Sequence, residues 1–198
     1  LLPMSYSDST TDGAHMAENM KSNYLTSAGY SSYTMYQQGS LCAAADSTYS
    51  SNQELVNNAV RTHWSSNNYG MVWWWGHGSA TSTSLGYSGC GLANLFNNSD
   101  PGYINDSYPA FVYQCSCNNG YPENTNNLGT ALLRRGAVAT VAASRVSWYA
   151  VTPWSTSLKY YCDNASIGYY YGAELVSNSK NAGKALYDVK SNMGINMY

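Results

Sequence analysis

The sequence predicts an α/β fold, an open, mostly parallel sheet with helices on both faces. Three observations predict it. Short apolar runs alternate with segments of helical periodicity as far as Ala143. Two of those runs, 71–75 and 110–114, are apolar without alternation, as in strands covered on both faces. The 198 residues carry no internal repeat and suffice for a single domain with a real core, taken here as 1–198.

Each element follows from its local pattern. Residues 1–4 read as the end of a strand, so the chain reads as a processed or partial piece of a longer precursor. Thr10-Thr11-Asp12 offers an N-cap for a helix over 13–25, with Ala14, Ala17, Met20, Tyr24 and Leu25 on one face and Gly29 ending it. Residues 33–36 form a second strand, stopped at Gln37-Gln38-Gly39. A serine-rich loop leads to a helix over 52–64, where Leu55, Val56, Ala59 and Val60 share a face. Strands follow at 71–75, 110–114 and 137–143, with a short helix over 126–135. The span 78–109 reads as loop or irregular structure, too long for a compact domain unless it is functional. Beyond Trp154 a tyrosine-rich loop precedes a helix over 173–190, interrupted near Gly183.

Composition excludes some functions. Charged residues make up 10% of the chain, against about 25% in ordinary domains. Tyrosine (20 residues), serine, asparagine and glycine supply the polarity. A net charge of −2 without a Lys/Arg cluster leaves no footprint for nucleic acid. No apolar stretch approaches the roughly 20 residues that span a bilayer. The five cysteines, Cys42, Cys90, Cys115, Cys117 and Cys162, allow at most two disulfides and leave one thiol over. Their spacing fits neither a zinc ribbon nor a redox CxxC. A lysine-poor surface with disulfides suits an extracellular or cell-surface protein. Sequons occur at Asn97, Asn105 and Asn164. Asn97-Asn98-Ser99-Asp100 and Asn105-Asp106 read as turns, or as loops for a structural calcium ion; no cofactor is otherwise called for.

The chemistry concentrates where two apolar strands stop. Trp73-Trp74-Trp75-Gly76-His77-Gly78-Ser79 delivers a histidine, and Gln114-Cys115-Ser116-Cys117-Asn118-Asn119-Gly120 a cysteine. Reactive groups of open α/β sheets collect beyond the carboxyl ends of parallel strands. An imidazole there can take a thiol's proton and leave a strong nucleophile. Glycines around His77 permit a sharp turn and close approach. The N–H groups of Gly78 and Cys117 are placed to hold an oxyanion. Plainer readings stand beside this one. A histidine after an apolar strand is commonly structural, and Cys115 reads as a core residue or half of a disulfide. His15 and His63 read as surface or packing residues, and Trp73 to Trp75 as core.

At His77-Gly78 and Cys117 the chain resembles the caspase-like (clan CD) cysteine peptidases, and within them the gingipain family. Further matching stretches are Ala131-Leu132-Leu133-Arg134, Gly136-Ala137-Val138, Ala143-Ser144 and Ser147-Trp148. The resemblance implies a caspase-like fold and an endopeptidase working through an acyl-enzyme. His77 would be the catalytic imidazole, Cys117 the nucleophile and Gly78 an oxyanion donor. Asp12 would lie at the base of the pocket for the residue before the scissile bond and select arginine, with Trp148 lining that pocket. As a residue in its own right, Asp12 also reads as a simple helix cap. Residues 1–8 contain no glutamate to support the histidine as in the family, although Asp8 is near. The family's first subdomain, its last strand and its immunoglobulin-like domain have no counterpart, so those parts were removed or exist as separate partner chains. The function implied is a secreted cysteine endopeptidase cleaving protein or peptide substrates after Arg or Lys. The alternatives are a sortase-like transpeptidase, and a non-catalytic extracellular structural or binding protein on the same fold.

Overall fold

A computed structural model describes residues 1–87, 91–149, 152–157 and 163–193. Six strands form the main sheet in the order β3-β2-β1-β4-β8-β9: β1 (Leu2–Met4), β2 (Thr34–Tyr36), β3 (Gln53–Glu54), β4 (Met71–Trp75), β8 (Ala110–Cys115) and β9 (Ala137–Ala142). Every pairing in it is parallel, so all six carboxyl ends emerge along one edge. A second, antiparallel sheet consists of β5 (His77–Gly78), β6 (Ser82–Tyr87) and β7 (Gly91–Asn97).

The strands carry the apolar residues that bury both faces. On one side Met4, Trp73, Trp75, Tyr113 and Cys115 pack with α1 (Ala14–Met20), α4 (Asn164–Val176) and α5 (Ala182–Asn192). On the other, Val72, Trp74, Ala110 and Val112 pack with α2 (Asn57–Ser66), α3 (Leu128–Arg134) and the β6–β7 hairpin. Trp73 to Trp75 are at most 1% exposed, which makes β4 the spine of both cores. Each buried tryptophan contributes at most about 4–6 kcal/mol by area. Side-chain caps start three helices: Asn127 accepts from the Thr130 N–H, Asp163 from the Ser166 N–H and Asn181 from the Lys184 N–H.

The open parallel α/β architecture is as the sequence implies, with four local differences. The span 78–109 is largely ordered by β5, β6 and β7, because Leu85, Leu95 and Phe96 bury against the sheet. Gln53–Glu54 is an edge strand, and the helix expected from residue 52 begins at Asn57. Residues 21–25 continue α1 as a π-helical turn. The tyrosine-rich stretch read as loop is α4, whose Tyr169 and Tyr171 are buried. Cys90 and Cys162 lie outside the described residues.

Candidate active site

Strand register brings the two chemical residues to one place. Trp75 lies opposite Cys115 across β4 and β8, so His77 and Cys117, each two residues farther on, leave adjacent strands at the same level. The Gly76 N–H donates to the Cys115 carbonyl at 3.0 Å, which carries the pairing past the ends of the strands. His77 is exposed and sits opposite Ser84 in the smaller sheet. Its flanking glycines owe their place to crowding, since neither has a positive φ. A Cβ on Gly76 would stand 2.7 Å from the Ser84 carbonyl oxygen, and one on Gly78 would stand 2.6 Å from the Cys117 amide nitrogen. The Cys117 N–H donates to no backbone carbonyl among the described residues.

A buried polar cluster locks the cysteine loop to the histidine strand. Asn119 is fully buried, and its amide donates to the carbonyls of Ser79 at 2.7 Å and Ser82 at 3.0 Å. Its Oδ1 accepts from Thr83 Oγ1 at 2.6 Å and from Ser116 Oγ. All four hydrogen-bonding capacities of this amide are used, as a buried polar group requires. Asn118 takes a left-handed conformation (φ 57°), which asparagine tolerates, and its N–H donates to the Arg145 carbonyl at 3.0 Å.

The two cysteines beside β8 differ in environment. Cys115 is free and buried, and desolvation pushes its thiol well up, with Asp163 and Cys117 adding to the shift. A buried thiol of this kind is inert. Cys117 is free and half-buried. Its S–H donates to the Ser147 carbonyl at 3.2 Å, and the Ser147 N–H approaches the sulfur at 3.5 Å. His77 makes no side-chain hydrogen bond among the described residues. Catalytic contacts of free enzymes are often open before substrate arrives.

The other residues singled out by the sequence lie around this edge or away from it. Asp12 is buried after β1, where Oδ1 accepts from the Ala14 N–H at 2.9 Å and Oδ2 from Ser47 Oγ at 2.6 Å. Burial raises its carboxyl above the ordinary range, opposed first by the Ser47 hydroxyl. Trp148 is 79% exposed, on the chain that leaves β9, one residue beyond the Ser147 that touches Cys117. Asp8 closes its own turn, accepting from Thr10 and Thr11, and the Thr10 hydroxyl leads in holding it below the usual range. His15 meets the Tyr49 hydroxyl at 3.0 Å, while His63 meets that of Tyr69 and stacks on Tyr33. Asp100 is buried against Asn57 and Arg61, and Asp106 accepts from the Gly136 N–H. Among the described residues there is no group of three or more His, Cys, Asp or Glu side chains able to hold a metal ion.

Sequence reasoning did not find Thr83, Ser116, Ser147 or Asn164 as members of the site. Asn164 read only as a sequon, yet it is 9% exposed and its amide donates to Ser147 Oγ at 2.8 Å. A polar residue ending an apolar strand, as Ser116 does, was the available signal.

Comparisons with known proteins agree with the fold. The chain resembles the Arg-specific cysteine proteinase gingipain R (RgpB), at 15% identity and a TM-score of 0.55 over 94% of this chain and 43% of that one. It also resembles the complex of Porphyromonas gingivalis RgpB pro- and mature domains, at 17% identity and a TM-score of 0.64 over 97% and 41%. The chain thus spans about two fifths of the length of those structures. No curated protein matches it. The model of peptidase family C25 matches residues 4–197, and the chain belongs to that family.

Proposed function

We propose that this protein is a cysteine endopeptidase in which His77 and Cys117 act as base and nucleophile. The observation that carries the reading is their equal register at the ends of adjacent parallel strands. The thiol proton passes to the His77 imidazole, and the thiolate attacks the scissile carbonyl. The N–H groups of Gly78 and Cys117 receive the oxyanion, and the protonated imidazole returns the proton to the leaving amine. Water then resolves the thioester. A peptide substrate bearing Arg or Lys before the scissile bond would reach Asp12, whose carboxylate suits a guanidinium, while Trp148 covers the apolar stem.

The likeness in fold to the Arg-specific cysteine proteinase gingipain R supports that preference. The pro- and mature-domain complex supports partner chains from a common precursor. An extracellular or cell-surface location fits a chain in which Cys42 is disulfide-bonded and charged residues are few. Among the described residues no helix is long and apolar enough to cross a membrane.

The test is cleavage of fluorogenic peptides differing only in the residue before the scissile bond, with Cys117→Ala alongside. Activity on Arg or Lys peptides that vanishes in Cys117→Ala is expected, with an unchanged melting temperature. Undiminished cleavage by the variant would remove Cys117 from the mechanism.

A further inference from the structure

One residue governs the sulfur of Cys117. Besides the carbonyl that accepts the thiol proton, Ser147 offers its N–H at 3.5 Å and its Oγ at 4.0 Å. That hydroxyl is held from behind, because Ser147 Oγ accepts from Asn164 Nδ2 at 2.8 Å. With one lone pair used, the Oγ proton is left free to turn toward the sulfur. Asn164 is itself held. The Tyr113 hydroxyl lies between the Asn164 backbone carbonyl at 2.6 Å and Oδ1 at 2.7 Å and shares its one proton with them, and the Asn164 N–H donates to the Trp148 carbonyl at 2.8 Å. The first residue of α4 is thereby tied to the loop that passes the nucleophile.

We propose that Ser147 and Asn164 are positioning residues for the nucleophile: Asn164 directs the Ser147 hydroxyl, and that hydroxyl with the Ser147 N–H holds the Cys117 sulfur once it is charged. The inference rests on the reading of Cys117 as nucleophile. While the thiol is neutral, its proton rests on the Ser147 carbonyl. When the proton moves to His77, that contact is lost and the carbonyl repels the anion. The two Ser147 donors then oppose the repulsion, because hydrogen bonds to a charged acceptor are about twice as strong as neutral ones. No bond other than S–H is broken and none other than N–H on the imidazole is formed.

The experiment measures the rate at which iodoacetamide alkylates Cys117 in the native full chain at one pH, read by mass spectrometry at that residue. Steady-state cleavage is followed on the same preparations. Ser147→Ala should slow alkylation roughly three- to tenfold and lower kcat by a similar factor with KM unchanged. Ser147→Thr, which keeps a hydroxyl, should restore both. Asn164→Ala should slow alkylation less, and adding it to Ser147→Ala should bring no further loss. Should Asn164→Ala not fold, the Ser147 pair decides alone. Alkylation of Ser147→Ala at the wild-type rate, or no rescue by threonine, would overturn the proposal. Alkylation needs no peptide, so a protein that cleaves nothing refutes the peptidase reading while the Ser147 result still stands or falls separately.

Discussion

The Cα of Gly78 packs against the peptide of Cys117 so closely that a methyl group there would stand 2.6 Å from the amide nitrogen and closer still to the carbonyl oxygen. Real β-carbons do not approach backbone atoms to that distance, so this glycine sets the separation between the histidine strand and the cysteine loop. Gly78→Ala must push the two apart. We expect kcat/KM to fall by about two orders of magnitude, as for a displacement near 1 Å at a reacting centre. Kinetics on a folded variant, verified by circular dichroism, would show it; wild-type kcat/KM would mean that the loop moves freely.

Asn119 holds the same two segments from inside the core. Asn119→Ala leaves the Ser79 and Ser82 carbonyls and the hydroxyls of Thr83 and Ser116 short of partners. The expected cost is about 2–4 kcal/mol in urea denaturation. A loss under about 0.5 kcal/mol, the level of a surface change, would show that the cluster tolerates the gap.

Asp12 separates pocket from cap by selectivity. Asp12→Asn keeps a side-chain oxygen for the Ala14 N–H but removes the charge. Loss of a desolvated partner for a guanidinium should lower kcat/KM for Arg and Lys peptides about 100-fold more than for neutral ones. An equal loss on every substrate would leave Asp12 only its local role of accepting from the Ala14 N–H and the Ser47 hydroxyl.

The same carboxylate makes a prediction about pH. Burial raises its native value above the unfolded one, against the Ser47 hydroxyl, the Ala14 N–H and His15. The native state therefore binds this proton more readily. The stability Asp12 contributes is complete below the ordinary carboxylate range and is lost as pH rises through the raised native value. The melting temperature of Asp12→Asn relative to wild type should rise between about pH 3 and pH 7. A difference constant across that range would show that the native carboxyl titrates as in the unfolded chain.

How much of this was legible beforehand depended on whether the signal was local. The alternation of apolar runs and helical faces is a local property, and it determined the parallel sheet with helices on both sides. The same pattern marked His77 and Cys117 as residues at strand ends, because a strand that stops at glycine or serine does so wherever it sits in the sheet. The order of strands was not legible. That β4 lies beside β8, with Trp75 facing Cys115, is decided by the shared burial of aromatic residues on two faces, and it alone makes neighbours of residues 40 positions apart. The β6–β7 hairpin escaped the reading because its strands are rich in serine, asparagine and glycine, and only contact with the main sheet buries Leu85 and Phe96. The partners of Cys117 were hidden for the same reason: Ser147 and Asn164 look ordinary in the chain, and become specific only when α4 docks against the loop after β9. Periodicity therefore singled out the two strand-end side chains, whereas packing chose their neighbours, since a hydrogen bond between distant residues exists only after the core has brought them within its short range.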